Sequence, residues 1–453
     1  MREKNEILPG RRIVLTGMGP VSSVGMTLES LWTACREGTS GVRPFAYAGS
    51  LEAPIAFAGA VNDFTGDIND FGELEPHLKK DVRKSLKLMS REIQMGVASA
   101  QRALQSAQVL SGTFVPERVG VSFASEYIIT APEEILPGVE ACSENGRFDF
   151  SRWGTEGLPK MTPIWQLKFL PNMSTSHISI LNSFHGAGFN ITNREASIGS
   201  VMAEAVEMIR SGRVDAMLVG ATGSRIHPFK LMTAFLNEKL ADRNLPPDEA
   251  SRPFDRDRTG MVLGEGAGAL FLESEESALE RGVPILAEIV AGSARAVLER
   301  GKGNERAFFD SDPALISESY RLTLESLFER VDVKPEAIGH INANGLGTPA
   351  MDAAEALAIR RFFGDAADRI PVTCLKGHLG NPGAGGGAIE LIASVLAMNH
   401  DALFPIKNNL HDDPACPIRP VREFGAPAGD TFLKLAGQTF GQTSAVLVRR
   451  WNA

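Results

Sequence analysis

The sequence predicts an α/β protein made of two similar units in succession, and three observations carry that reading. Short β-branched or apolar strands alternate with segments of helical spacing along most of the chain, the order that lays helices against a sheet. A polar stretch, "EESALERGVP", marks a boundary near residue 280, and the same alternation resumes after it, giving units 11–280 and 281–453. The 453 residues suffice for two cores, and 43% hydrophobic with 22% charged content is ordinary for a globular protein.

Taken in order, "RRIVLTGMGPVSSVG" (11–25) reads as a strand followed by glycines and a serine pair, and 28–37 has helical spacing. Residues 76–110 hold one long helical pattern before the strand "RVGVSFAS". The stretch 125–173 is aromatic and Pro-rich and carries Trp153 and Trp165, so an ordered insertion or interface arm is expected there. Strand 186–192, a helix at about 198–211 and a strand from Asp215 follow. The second unit predicts strand 284–296, a helix near 313–330, strand "IGHINAN" and a helix around 352–363. Strand "IPVTC", a Gly-rich loop, a helix at 387–398 and a strand pair at 432–450 complete it. No sequence repeat links the units, so any duplication lies in the structure alone.

Composition excludes several classes of function. The net charge of −9 argues against nucleic acid as a partner. Four widely spaced cysteines (Cys35, Cys142, Cys374 and Cys416) form no C-x-x-C, and no His/Cys group has metal-ligand spacing. The charged N-terminus "MREKNEILPG" lacks the apolar core of a signal peptide, and no apolar run is long enough for a bilayer. A cytoplasmic protein with reduced thiols, no membrane association and no metal is expected. Gly17, Gly19 and Gly25 lack the spacing of a dinucleotide-binding fingerprint.

Chemistry concentrates at the turn "NITNREASIG" (190–199), where a strand runs sharply into a helix. Such a turn exposes one side chain to the N–H groups of the helix, the usual mounting for a nucleophile. Glu195 stands near its tip. Three further segments are more specific: "SRPFDRDRTGMVLGEGAGALFLES" (251–274), "HINANGLGTPAMDAAEA" (340–356) and "VTCLKGHLGNPGAGGGAIE" (372–390). Taken alone, the first reads as a turn network in which Asp255 and Asp257 bind local backbone and Arg252.

With "LPNMSTSHISILNSFHGAG" and the C-terminal "FGQTSAVLV", these segments resemble the β-ketoacyl synthases over almost the whole chain. The resemblance implies a thiolase-like fold, two similar halves layered α-β-α-β-α. It also implies substrates delivered on the phosphopantetheine arm of an acyl carrier protein, with no cofactor resident in the chain.

Aligned to that family without a gap, Glu195 takes the place of the nucleophilic Cys. Asn344 replaces the first catalytic His, and His378 retains the second. The Lys expected five residues before it becomes Thr373, and the following loop reads as longer by about three residues. Leu346 replaces a motif Thr, Thr348 is kept, and Phe440 matches the gating Phe. Phe123 and Tyr127 follow a strand that borders the acyl channel, and are expected to limit its depth.

A Cys thiolate accepts an acyl group and two histidines stabilise the enolate charge; a carboxylate and an amide replace neither. The expected role is therefore a non-condensing subunit, similar to a chain-length factor of type II polyketide or polyene systems, in a heterodimer with an active β-ketoacyl synthase. The alternatives are a malonyl-carrier-protein decarboxylase for priming, or a repurposed pocket with Glu195 as base. Against the latter stands the reading that Glu195 plugs the pocket in a fixed ion pair with Arg194, His378 or a partner group.

Overall fold

A computed structural model describes residues 11–46, 54–128, 131–297 and 313–452; the N-terminal stretch 1–10 weighed above as a signal lies outside them. Ten strands carry the architecture: β1 (Ile13–Val21), β2 (Val119–Ser125), β3 (Gly188–Ile191), β4 (Ala216–Ser224), β5 (Glu265–Ser274), β6 (Ala287–Ala296), β7 (His340–Asn342), β8 (Pro371–Thr373), β9 (Thr431–Gly437) and β10 (Gln442–Arg449). Ten helices of eight or more residues accompany them among the described residues: α1 (Leu28–Glu37), α2 (Pro76–Ser85), α3 (Arg91–Ser106), α4 (Pro132–Ala141), α5 (Met173–Asn182), α6 (Ser197–Arg210), α7 (Pro228–Asn237), α8 (Pro313–Phe328), α9 (Pro349–Phe363) and α10 (Ala384–Asn399).

The duplication is in the topology. In the first half the strands run β3-β2-β4-β5-β1; in the second, β8-β7-β9-β10-β6. Both sets therefore have the order third, second, fourth, fifth, first. The directions match as well: the last two pairings of each set are antiparallel, the other two parallel. The halves join where β1 meets β6 at Val14–Glu288 and Leu15–Ala287, and a two-residue strand, Arg419–Pro420, adds an eleventh member beyond β8.

Helices sort into three layers. Helix α3 covers β1, β4 and β5 on the outside of the first half, while α8 and α9 pack together outside the second. Between the halves lie α6, against β2, β4, β6 and β10, and α10, against β4, β5 and β9. The layers thus read α-β-α-β-α. Every residue from Ala384 to Met398 of α10 is buried, as a helix apolar on all sides must be when both of its faces meet a sheet.

Two local expectations change. The pattern over 76–110 is two helices, because Met89 is extended and Ser90 takes the backbone conformation of a helix start. The glycines after Gly383 belong to the first turn of α10, not to a loop. A Cβ on Gly385 would run into the carbonyl oxygen of Gly266, so glycine here lets the helix sit directly on β5. The arm at 125–173 is ordered where described, with α4, short helical turns and several exposed apolar residues, among them Leu136, Phe150 and Ile164. All four cysteines are buried and free. No helix among the described residues is long and apolar enough to cross a membrane.

Candidate functional site at the elbow

The turn between β3 and α6 is formed by Asn193 and a single helical turn, Arg194–Ala196. Arg194 has φ +49°, a left-handed conformation that costs a non-glycine residue of order 1 kcal/mol and persists only where its surroundings hold it. Here they do. Arg194 Nη2 lies 2.7 Å from Glu238 Oε1, and its guanidinium covers the Phe440 ring at 5.6 Å.

Glu195, 2% exposed, points inward from this turn. Its Oε1 accepts hydrogen bonds from Arg225 Nη1 at 3.0 Å and from Asn381 Nδ2 at 2.8 Å; Arg194 Nε is 3.8 Å from its Oε2. Arg225 also binds Glu238, so the two arginines and two glutamates close a ring. Burial alone would raise the Glu195 pKa, but Arg194 and Arg225, helped by the Asn381 amide, hold it at about 2. The group is a fixed carboxylate, and far too weak a base for proton abstraction near neutral pH.

Asn344 is equally occupied. Its Nδ2 donates to Gly437 O at 2.8 Å, and its Oδ1 accepts from Lys376 Nζ at 3.0 Å. Lys376 continues to Glu390 Oε1 at 2.6 Å, and Lys434 meets Glu390 Oε2 at 2.5 Å. Glu355 receives the N–H groups of Asn344 and Gly345, fixing the loop after β7.

His378 is a correction. The ring is fully buried, but it is held between the carbonyl oxygens of Thr39 and Pro405, at 3.0 and 3.2 Å. No described hydrogen bond or ion pair links it to Glu195 or Asn344. The side chain that reaches the elbow from this segment is Asn381, three residues later, whose Oδ1 caps the Gly383 N–H at 3.0 Å. Lys376 stands five residues before Asn381, so this register supplies the Lys without lengthening the loop. The shift was hidden because "GHL" matches a histidine motif by itself, whereas Lys376 and Glu390 together carry the register.

The remaining expected residues separate. Tyr127 and Phe440 line a cavity of about 270 Å³ at the elbow, together with Arg194, Arg225, Lys230 and Glu238. Phe123 does not line it. It is fully buried beneath α3, packed where a Cβ on Gly220 would otherwise stand. Leu346 belongs to the core of the second half, and Thr348 lies at the start of α9; neither lines the cavity.

Sequence reasoning missed Arg225 and Lys230, which follow β4 with no motif to mark them. It also gave Arg252 to the aspartates, whereas Arg252 binds Glu249. Asp255 instead accepts the N–H groups of Asp257, Leu410 and His411, and Asp257 lies 3.1 Å from His411 Nδ1.

Comparison with known proteins places this arrangement in a lineage. Residues 10–278 match the family model "Beta-ketoacyl synthase, N-terminal domain", and residues 304–409 match "Beta-ketoacyl synthase, C-terminal domain". The chain is 31% identical over 406 residues to 3-oxoacyl-[acyl-carrier-protein] synthase 2 of Vibrio cholerae, covering 89% of each protein. It is 29% identical over 419 residues to the enzyme of the same name from Synechocystis, covering 91% of each. Among solved structures, the ishigamide ketosynthase/chain length factor aligns with a TM-score of 0.79 at 25% identity, over 98% of this chain and 100% of that one. A β-ketoacyl synthase from Burkholderia phymatum aligns with a TM-score of 0.81 at 24% identity and the same coverage, which shows the shared thiolase-like fold. With both halves of the family matched in order along one chain, this protein belongs to the β-ketoacyl synthase family.

Proposed function

We propose that the chain is a non-condensing subunit that pairs with an active β-ketoacyl synthase during acyl chain elongation on an acyl carrier protein, and shapes the acyl channel of the pair. The observation that supports this most directly is the state of Glu195. A carboxylate locked by Arg225, Asn381 and Arg194 neither attacks a thioester nor yields a stable acyl-enzyme. The cavity beside it is lined by Arg194, Arg225, Lys230 and Glu238 as well as by Tyr127 and Phe440.

Priming decarboxylation finds less support. It needs donors free to polarise a thioester carbonyl, and the amide nitrogens of Asn344 and Asn381 are already given to Gly437 O and Glu195. A base role for Glu195 meets the difficulty of its low pKa.

The test is co-expression with an active β-ketoacyl synthase from the same source, with an affinity tag on this chain only. The expected outcome is a one-to-one complex that elongates malonyl units, while this chain alone does not. Recovery of only a homodimer that condenses unaided would overturn the proposal.

A further inference from the structure

Helix α7 is held to the body of the molecule by few contacts. Of its residues only Lys230, Leu231 and Ala234 are buried, and no helix or strand among the described residues packs along its length. Phe229, Met232, Phe235 and Leu236 are exposed. Leu231 and Ala234 join the core of the second half. The third inward side chain is a lysine, a residue almost never fully buried unless it is paired.

Its pairing ties α7 to two other elements. Lys230 Nζ lies 2.7 Å from Glu92 Oε2, at the start of α3, and 3.3 Å from Glu126 Oε2, just beyond β2. The Glu126 N–H donates to Glu92 Oε1 at 3.2 Å, which holds the two acids together. All three side chains are at most 5% exposed. Two acids thus share one ammonium in a buried place.

The surrounding charges do not make good the difference. Arg91, beside Glu92 on α3, is given to Glu265 of β5. Arg194 and Arg225, on the elbow side, bind Glu195 and Glu238. Lys168 of the arm pairs with Glu134. His227, the residue before α7, is neutral: burial and Lys230 lower its pKa to about 4 against the pull of Glu133. The Tyr127 ring lies 5.5 Å from Lys230 Nζ and adds no cation. Glu126 Oε1 accepts no hydrogen bond among the described residues, and Gly383 at the start of α10, which stands against it, has no side chain to offer one. Two buried like charges on one cation do not both ionise without cost, so the pair retains a proton more readily than a free carboxyl does.

We infer that Glu92, Glu126 and Lys230 form a one-proton latch that seats α7: with the proton held between the acids the cluster is neutral and the first turn of the helix is fixed, and loss of the proton leaves a buried negative charge that frees it. The latch is independent of the role proposed above.

The pH window follows from the direction of the shift. Burial raises the Glu92 pKa, Lys230 lowers it and Glu126 raises it again, to about 7 against an ordinary 4.5. A carboxyl raised in the folded state contributes stability that is complete below its ordinary value and is lost as pH rises through the folded one. Opening of α7 should therefore become about tenfold more frequent per pH unit between about pH 5 and pH 7, and then level off.

Hydrogen exchange of the full chain between about pH 5.5 and pH 8, read on the α7 amides and divided by their intrinsic rates, tests this. Wild-type protection is expected to fall about tenfold over the first pH unit and to be level above about pH 7.5. Glu92→Gln, neutral at every pH, should keep α7 at its low-pH protection throughout, so that at pH 8 the variant is better protected than wild type. A merely structural ion pair gives the opposite result, since removal of one partner weakens the seat at every pH. Asp352 and Glu355 are also raised, to about 6 and about 7, but they bind the N–H groups of Phe254 and Gly347, and of Asn344 and Gly345, so their titration stays outside a readout confined to α7. Level wild-type protection, or a fall that persists in Glu92→Gln, overturns the inference. If Glu92→Gln does not fold, Glu126→Gln removes the like charge instead and should move the fall to lower pH; a fall left in place overturns the inference as well.

Discussion

Glu195 keeps its charge in a place where burial opposes charge, and its pH dependence follows from that contest. Its folded pKa of about 2 lies below the ordinary 4.5. A depressed carboxylate contributes stability that is present above the unfolded value and is lost as pH falls through the folded one. At 1.36 kcal/mol per unit the gap is worth roughly 3 kcal/mol. Glu195→Gln should therefore lower stability at pH 7 by about that amount and flatten the loss between pH 5 and pH 2, as read by denaturant titration across that range.

The same residues show how far side-chain chemistry was legible. The motifs "NREAS" and "NGLGT" single out Glu195 and Asn344 from sequence alone. Asn381 was not singled out, because His378 three residues earlier fits a histidine pattern. Only its bonds to Thr39 O and Pro405 O show it to be part of the packing. Ion-pair partners from different elements, such as Arg225 for Glu195, carry no signature in local spacing.

At the level of elements, α10 depends on glycine for its seat. Gly385 lies against Gly266 of β5, and a Cβ at Gly387 would meet the side chain of Ile198 on α6. A side chain at either position pushes the central helix off its neighbours, and overpacking in a dense core costs on the order of 1–3 kcal/mol or more. Gly385→Val is expected to lower the denaturation midpoint sharply, whereas Gly212→Ala, where a Cβ meets nothing within 4 Å, should cost only the roughly 1 kcal/mol of its left-handed backbone. The glycine run was read as a loop from sequence because glycine is a poor helix former. Close helix–sheet approach overrides that preference here.

At the level of the whole molecule, the duplicated strand order leaves β3 at one edge of the sheet among the described residues, and α7 carries a run of exposed apolar side chains. Met232 and Leu236 of α7 are 47% and 71% exposed, one turn apart on the same face. Apolar side chains grouped in this way mark an interaction surface. Met232→Glu/Leu236→Glu should leave the thermal midpoint of the free chain within a few degrees of wild type, because exposed positions carry little of the folded-state packing. It should abolish the co-purification with a β-ketoacyl synthase that the proposed role requires. Intact co-purification would place the interface elsewhere.

The sequence by itself determined the α/β class, most element positions and the motifs that single out Glu195 and Asn344, because periodicity and contiguous motifs are local properties. Tertiary structure decided what fills the site. The Glu195–Arg225–Glu238–Arg194 ring, the Lys376–Glu390–Lys434 cluster and the Lys230–Glu92 ion pair each join residues far apart in the chain. Which charges meet is fixed by how α6 and α10 are clamped between the two halves of the sheet, and no local pattern encodes that distance.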